Sequence, residues 1–148
     1  MTQIFFYHGA ADRIAAAAAL IAKASSQKKP VLVYAPDDAV ASALDRALWI
    51  GTPTGFVPHV RSDSPLATET AVVIADRLEA VPQASPSIAR HERLMNLSGE
   101  IPSTFSRFTS LIEVVSEDPE IRQPARERVR FYKDRGYEVQ FFDLAGKS

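Results

Sequence analysis

The residue types that usually carry enzymatic or metal chemistry are sparse in this sequence and poorly spaced for it. Three histidines occur, His8, His59 and His91, and none stands on a helix with a second ligand three or four residues away. There is no cysteine, which removes disulfides and thiolate metal sites and fits a reducing compartment. No Gly-x-Ser-x-Gly nucleophile elbow is present, and Asp37-Asp38 reads as a helix cap rather than a catalytic carboxylate pair. Gly146-Lys147-Ser148 spells the end of a phosphate-binding loop. It lacks the upstream glycine and the following helix that would aim amides at a phosphate, so a solvated tail is expected. His8-Gly9-Ala10-Ala11-Asp12 occupies the place of a dinucleotide fingerprint without its G-x-G-x-x-G pattern. The expectation is no catalytic residue, no metal and no cofactor.

Two groups of residues are suited to binding instead. Trp49, the only tryptophan, closes an apolar helical segment, and Phe56 follows in a loop beside Val57. Aromatics serve cores and interfaces alike, so the pair fits either a pinned loop or a docking patch for a partner helix or peptide. The second group is basic. Between Arg122 and Arg135 there are six basic residues and two acidic ones, in a chain whose formal charge is −1. At ~100° per residue, Arg122, Arg126, Arg130 and Lys133 fall within roughly a quarter turn, and Ile121, Ala125, Val129 and Tyr132 fall on the adjoining quarter. Such a stripe is either a solvated face or a grip for a carboxylate, for which the planar fork of arginine is well shaped.

The elements that must carry these groups are strongly patterned. Ile4–Tyr7 reads as a strand stopping at His8-Gly9. Asp12–Gln27, alanine-rich at its centre, predicts a helix. Val31–Ala35 predicts a second strand, and Val40–Trp49 a second helix capped by Pro36-Asp37-Asp38. Gly51–Leu66 predicts a loop, Ala71–Ala75 a strand, and Glu79–Ala89, with Pro82 and Pro86, no regular element. His91–Leu97 predicts a less buried strand, Pro102–Phe108 a short helix and Leu111–Val115 a strand. Ser116–Arg135 predicts a long helix whose regular part begins at Pro124, and Tyr137–Leu144 a last strand. Short, near-continuously apolar strands alternating with helices predict a three-layer α/β/α fold with a mostly parallel sheet, Rossmann-like without a nucleotide site.

With 148 residues, nearly half of them apolar, one domain over 1–148 is expected. The near-neutral balance does not advertise nucleic-acid binding. The longest apolar stretch, Ile14–Ala22, is too short for a membrane span, and no secretory leader is evident, so a cytoplasmic protein without membrane contact is expected.

Leu44-Asp45-Arg46-Ala47-Leu48-Trp49 followed by Phe56-Val57-Pro58-His59 resembles the signature of the chi subunit family of bacterial DNA polymerase III. Phe6-Tyr7 and Ala125-Arg126-Glu127-Arg128, leading through Tyr132 to Gly136, are similar to that family in the same order. The resemblance implies a non-catalytic accessory subunit of the polymerase III holoenzyme, within its clamp-loader complex. It would link the psi subunit to the acidic C-terminal tail of single-stranded DNA-binding protein during replication, with nucleic acid contacted only indirectly. It implies that Trp49, Phe56 and Val57 face psi or a helicase-like repair protein. Arg122, Arg126, Val129, Arg130 and Lys133 would receive the tail. Two alternatives stand beside this: a nucleotide-binding α/β enzyme, and a module that binds single-stranded DNA directly through the basic helix.

Overall fold

Residues alternate in facing along Gln3–Ala10, which forms β1, with Ile4 and Phe6 buried on one side of the sheet. The computed structural model describes residues 1–50, 57–89 and 91–145. Asp12 caps the next helix, α1 (Arg13–Ser26), by accepting from the Ala15 amide at 3.1 Å. Its small buried residues Ala17, Ala18 and Ala24 let the helix lie close to the strands. β2 (Val31–Tyr34) leads into α2 (Asp38–Ile50), where Asp37 accepts from the Ala39 amide at 2.9 Å and Ala41, Leu44 and Leu48 turn inward. β3 (Val60–Arg61), β4 (Val72–Ala75), the one-turn α3 (Pro86–Ala89) and β5 (Arg93–Asn96) follow. β6 (Ser110–Ser116), α4 (Pro119–Asp134) and β7 (Val139–Asp143) complete the order.

The strands form one sheet in the order β3-β4-β2-β5-β6-β1-β7, and every pairing is parallel. Val31, Val33, Val72, Ile74, Met95 and Val114 face α1 and α2. Leu32, Val73, Leu94, Leu111 and Ile4 face the other way, under Tyr132 of α4 and under Leu78, Val81 and Phe105 from short turns. The expected three layers are therefore present, and β1 ends up between β6 and β7, sequence partners from the other half of the chain.

Several local expectations are corrected. β1 does not stop at His8-Gly9. It continues to Ala10 through an irregularity, with Gly9 at φ +75°, where a Cβ would come within 2.8 Å of Asp143 Oδ1. β5 is not a less buried strand but the fourth of seven, with Leu94, Met95 and Asn96 buried. Its polar Asn96 misleads because the side chain is satisfied inside, donating to Glu113 and to the Glu100 carbonyl. The expected loop Gly51–Leu66 contains the two-residue edge strand β3, and residues 51–56, Phe56 included, lie outside the described residues. Pro102–Phe108 reduces to a single 3-10 turn at Phe105–Arg107, and Glu79–Ala89 contains α3.

α4 begins at Pro119, not at Pro124. Asp118 accepts from the Glu120 amide at 3.0 Å, and the helix runs unbroken past Pro124. Pro124 withholds the N–H that would reach the Glu120 carbonyl, but Glu120 is exposed and water can satisfy it.

Candidate functional site

Parallel strands deliver side chains and loop backbone to the carboxyl edge of a sheet, and a cleft of about 440 Å³ lies there between β1, β6, β7 and α4. Arg122 and Arg126 line one wall from α4, with Val129 below them. Phe6, Val115 and Phe141 make the apolar floor, and His8, Gly9, Ser116 and Glu117 form the rim. Ala125 and Tyr132 are fully buried and Val129 is half-buried against Phe6 and Val115, so the apolar quarter of α4 faces the sheet as its periodicity predicts. Lys133 does not line the cleft, but its ammonium stands 5.0 Å from the centroid of the Phe141 ring, which does. Arg130 is exposed on the same stripe, outside the lining. The arrangement is a cationic wall beside an apolar floor, suited to a carboxylate carried next to a hydrophobic group.

Sequence reasoning missed the contribution of the strands: Phe6, His8, Gly9 and Phe141 come from β1 and β7, adjacent only because β7 pairs with β1. It also counted Arg128 among the six basic residues that give this segment its positive charge. Arg128 is buried and grips Glu113 with two bonds, Nε to Oε2 at 3.0 Å and Nη2 to Oε1 at 2.9 Å. Tyr132 donates to the same carboxylate at 2.7 Å, and burial with the nearby Glu113 charge raises its hydroxyl far above the ordinary tyrosine range. The helical angle places Arg128 at ~240° from Arg122, off the basic stripe and at the far border of the core stripe.

The second group lies elsewhere. Trp49 is 57% exposed and Ile50 78% exposed at the end of α2. A shallow groove lined by Ala39, Ala43, Arg46, Ala47 and Ile50 runs along that helix. Val57, expected at a partner surface, is instead 4% exposed and packed into the core under α2. A small aliphatic side chain beside Leu48 completes the interior, and its amide is bonded to the Leu48 carbonyl at 3.4 Å. Beneath Trp49, buried His59 bonds the Asp45 carboxylate at 2.7 Å and the Val57 carbonyl at 2.6 Å, and its ring meets the indole edge-on at 6.0 Å.

No group of three or more potential metal ligands occurs among the described residues, and no described helix is long and apolar enough to cross a membrane. The family described as DNA polymerase III chi subunit, HolC, matches residues 1–140. The chain belongs to the DNA polymerase III chi subunit family. It is 32% identical over 144 residues, 95% of each chain, to a protein of Pseudomonas aeruginosa named DNA polymerase III subunit chi. Proteins of that name from Haemophilus influenzae and Escherichia coli are 30% identical over 111 residues and 26% identical over 133 residues. The first covers 75% of this chain and 73% of the relative, the second 86% of each. In this chi-family chain the two signature runs form one unit. Asp45 of the first bonds His59 of the second, and His59 bonds back to Val57, which holds Val57 and His59 against the helix that presents Trp49.

Proposed function

We propose that the chain is a non-catalytic accessory subunit of the DNA polymerase III holoenzyme. Within the clamp-loader complex in the cytoplasm, it links psi to the acidic C-terminal tail of single-stranded DNA-binding protein during replication. The observation that carries the reading is the cleft where Arg122 and Arg126 stand over Phe6, Val129 and Phe141. An acidic tail ending in phenylalanine offers both halves of what such a cleft accepts: carboxylates for the guanidinium forks and a ring for the apolar floor. Arg130 and Lys133 extend the cationic stripe and would raise the association rate with aspartates farther up the tail. A contact of this size implies modest affinity, which the several tails of an oligomeric partner multiply.

Trp49 is the exposed anchor for psi, or for a helicase-like repair protein using the same face, with Phe56 beside it in sequence. Val57 serves that face from beneath.

Calorimetric titration with a synthetic peptide of several aspartates and a terminal phenylalanine tests the first half. Binding at low salt is expected, and Arg126→Ala is expected to weaken it by tenfold or more, about 1.4 kcal/mol or greater. Absence of binding at low salt would sink this half. Co-purification with psi tests the second half: Trp49→Ala is expected to lose psi while keeping the peptide, whereas loss of both would indicate misfolding.

A further inference from the structure

We propose that the free edge of β7 receives the acidic peptide as an eighth, parallel strand, with the peptide's C-terminal end in the Arg126 cleft. This rests on the tail-docking reading above and adds how the tail is held.

β7 is the last strand of the sheet, and among the described residues nothing pairs with its outer side. The phase of its backbone is set by two bonds to β1. The Ile4 amide donates to the Glu138 carbonyl at 3.2 Å, and the Leu144 amide donates to the His8 carbonyl at 2.8 Å. Backbone groups alternate sides along a parallel strand, so Gln140 and Phe142 also turn toward β1. Val139, Phe141 and Asp143 therefore direct their N–H and C=O groups away from the sheet. An unpaired row of this kind is a template for an added strand.

Charge and length select the occupant. α4 runs antiparallel to the strands it covers, so Arg122, Arg126, Arg130 and Lys133 descend beside the β1–β7 border. From Arg122 to Lys133 that stripe spans about 16 Å at ~1.5 Å per residue. Five strand residues of β7 span about the same at ~3.3 Å each. A peptide lying on the edge would thus pass the cations along its whole paired length, with every second side chain turned toward them. Glu138 and Asp143 stand at the two ends of the edge and leave its middle to Phe141, over which Lys133 sits. The opposite face of the edge is aromatic. Phe142 stacks on Tyr7 with centroids 4.7 Å apart and tilts against Phe5 at 6.2 Å, while Phe142 itself is 37% exposed. The intervening side chains of the peptide would meet that apolar platform.

Direction follows from the cleft. It lies at the carboxyl ends of β1 and β6, next to Phe141. A peptide whose C-terminus sits there and whose upstream residues follow β7 runs parallel to β7, continuing the all-parallel sheet.

The test uses the full chain and the aspartate–phenylalanine peptide in three forms: unmodified, and N-methylated at every second amide in two offset sets. Strand addition needs only the amides that face β7. One set is expected to weaken binding by at least about tenfold while the other stays within about twofold of the unmodified peptide. Equal weakening by both sets, or by neither, would overturn strand addition while leaving the tail-docking reading intact, provided the unmodified peptide binds and depends on Arg126. If the unmodified peptide fails to bind, or binds Arg126→Ala as well as wild type, the reading and the strand fall together. Sedimentation of the chain checks a second copy as occupant. A monomer supports the proposal, and a dimer that survives saturation with peptide would assign the edge to self-association and overturn it.

Discussion

Glu113 accepts four hydrogen bonds in the interior, from Asn96, twice from Arg128 and from Tyr132. A buried ion pair is costly to break by halves, because the remaining charge has no water. Glu113→Leu is therefore expected to destabilise the fold by about 3–5 kcal/mol in denaturant unfolding. Adding Arg128→Met to that variant should recover much of the loss, since the guanidinium is then gone too. Tyr34 gives a second residue-scale expectation. Its hydroxyl donates to Glu100, and burial, then that bond, push its pKa from 10.0 up to about 12. The folded value lies above the unfolded one, so the contribution is intact below about pH 10 and is lost as pH rises toward 12. Unfolding measured across that window should show a downward slope in the wild type that is shallower in Tyr34→Phe. At this scale the sequence spoke unevenly. Arg122 and Arg126 were legible because helical angle and charge agree. Arg128 looked like its neighbours, because nothing local announces that its partner Glu113 waits on β6. The burial of Val57 was hidden for a related reason: a motif reports which residues occur together, not which of them face water.

At the scale of elements, amphipathic helices and runs of branched residues were readable, since local spacing alone encodes them. β5 was not, because burial of Asn96 depends on a carboxylate from the neighbouring strand. α4 began earlier than Pro124 suggested, because the Asp118 cap and Pro119 nucleate the helix upstream of the interruption. Restoring the missing amide should then help: Pro124→Ala is expected to stabilise the fold, by at most about 3 kcal/mol, measured as a shift in the denaturant midpoint without a change in slope. Gly9 works in the opposite direction. Its positive φ and the 2.8 Å approach to Asp143 mean that Gly9→Ala should loosen the β1–β7 border and lower the melting temperature.

At the scale of the whole molecule, the two candidate surfaces lie apart. α2 starts at the carboxyl edge of the sheet and ends at the opposite edge, so Trp49 sits at the far end from the Arg126 cleft and on the other face. Surfaces so separated should act independently. Psi and the tail peptide are expected to bind together, each with the affinity it shows alone, and a Trp49→Ala/Arg126→Ala double variant should show the sum of the single losses. Peptide affinity should also fall with added salt more steeply than psi binding, because the cleft relies on several exposed cations and the Trp49 face on apolar surface with Arg46 alone in its groove. The three layers were readable from alternation of elements. The order β3-β4-β2-β5-β6-β1-β7 was not, since strand neighbours are chosen by long-range packing.

The insertion of β1 between β6 and β7 sets a timetable for a nascent chain. Gln3 pairs with Ser110 and Ile4 with Val139, so the first strand made is among the last to be housed. Until β6 leaves the ribosome, Ile4-Phe5-Phe6-Tyr7 has no hydrogen-bonding neighbour, and it is an apolar aromatic strand of the kind that invites aggregation. Translation halted before Ser110 should therefore yield a protease-sensitive, chaperone-held chain. Synthesis through β7 should release it in one cooperative step, at which the cleft first comes into existence.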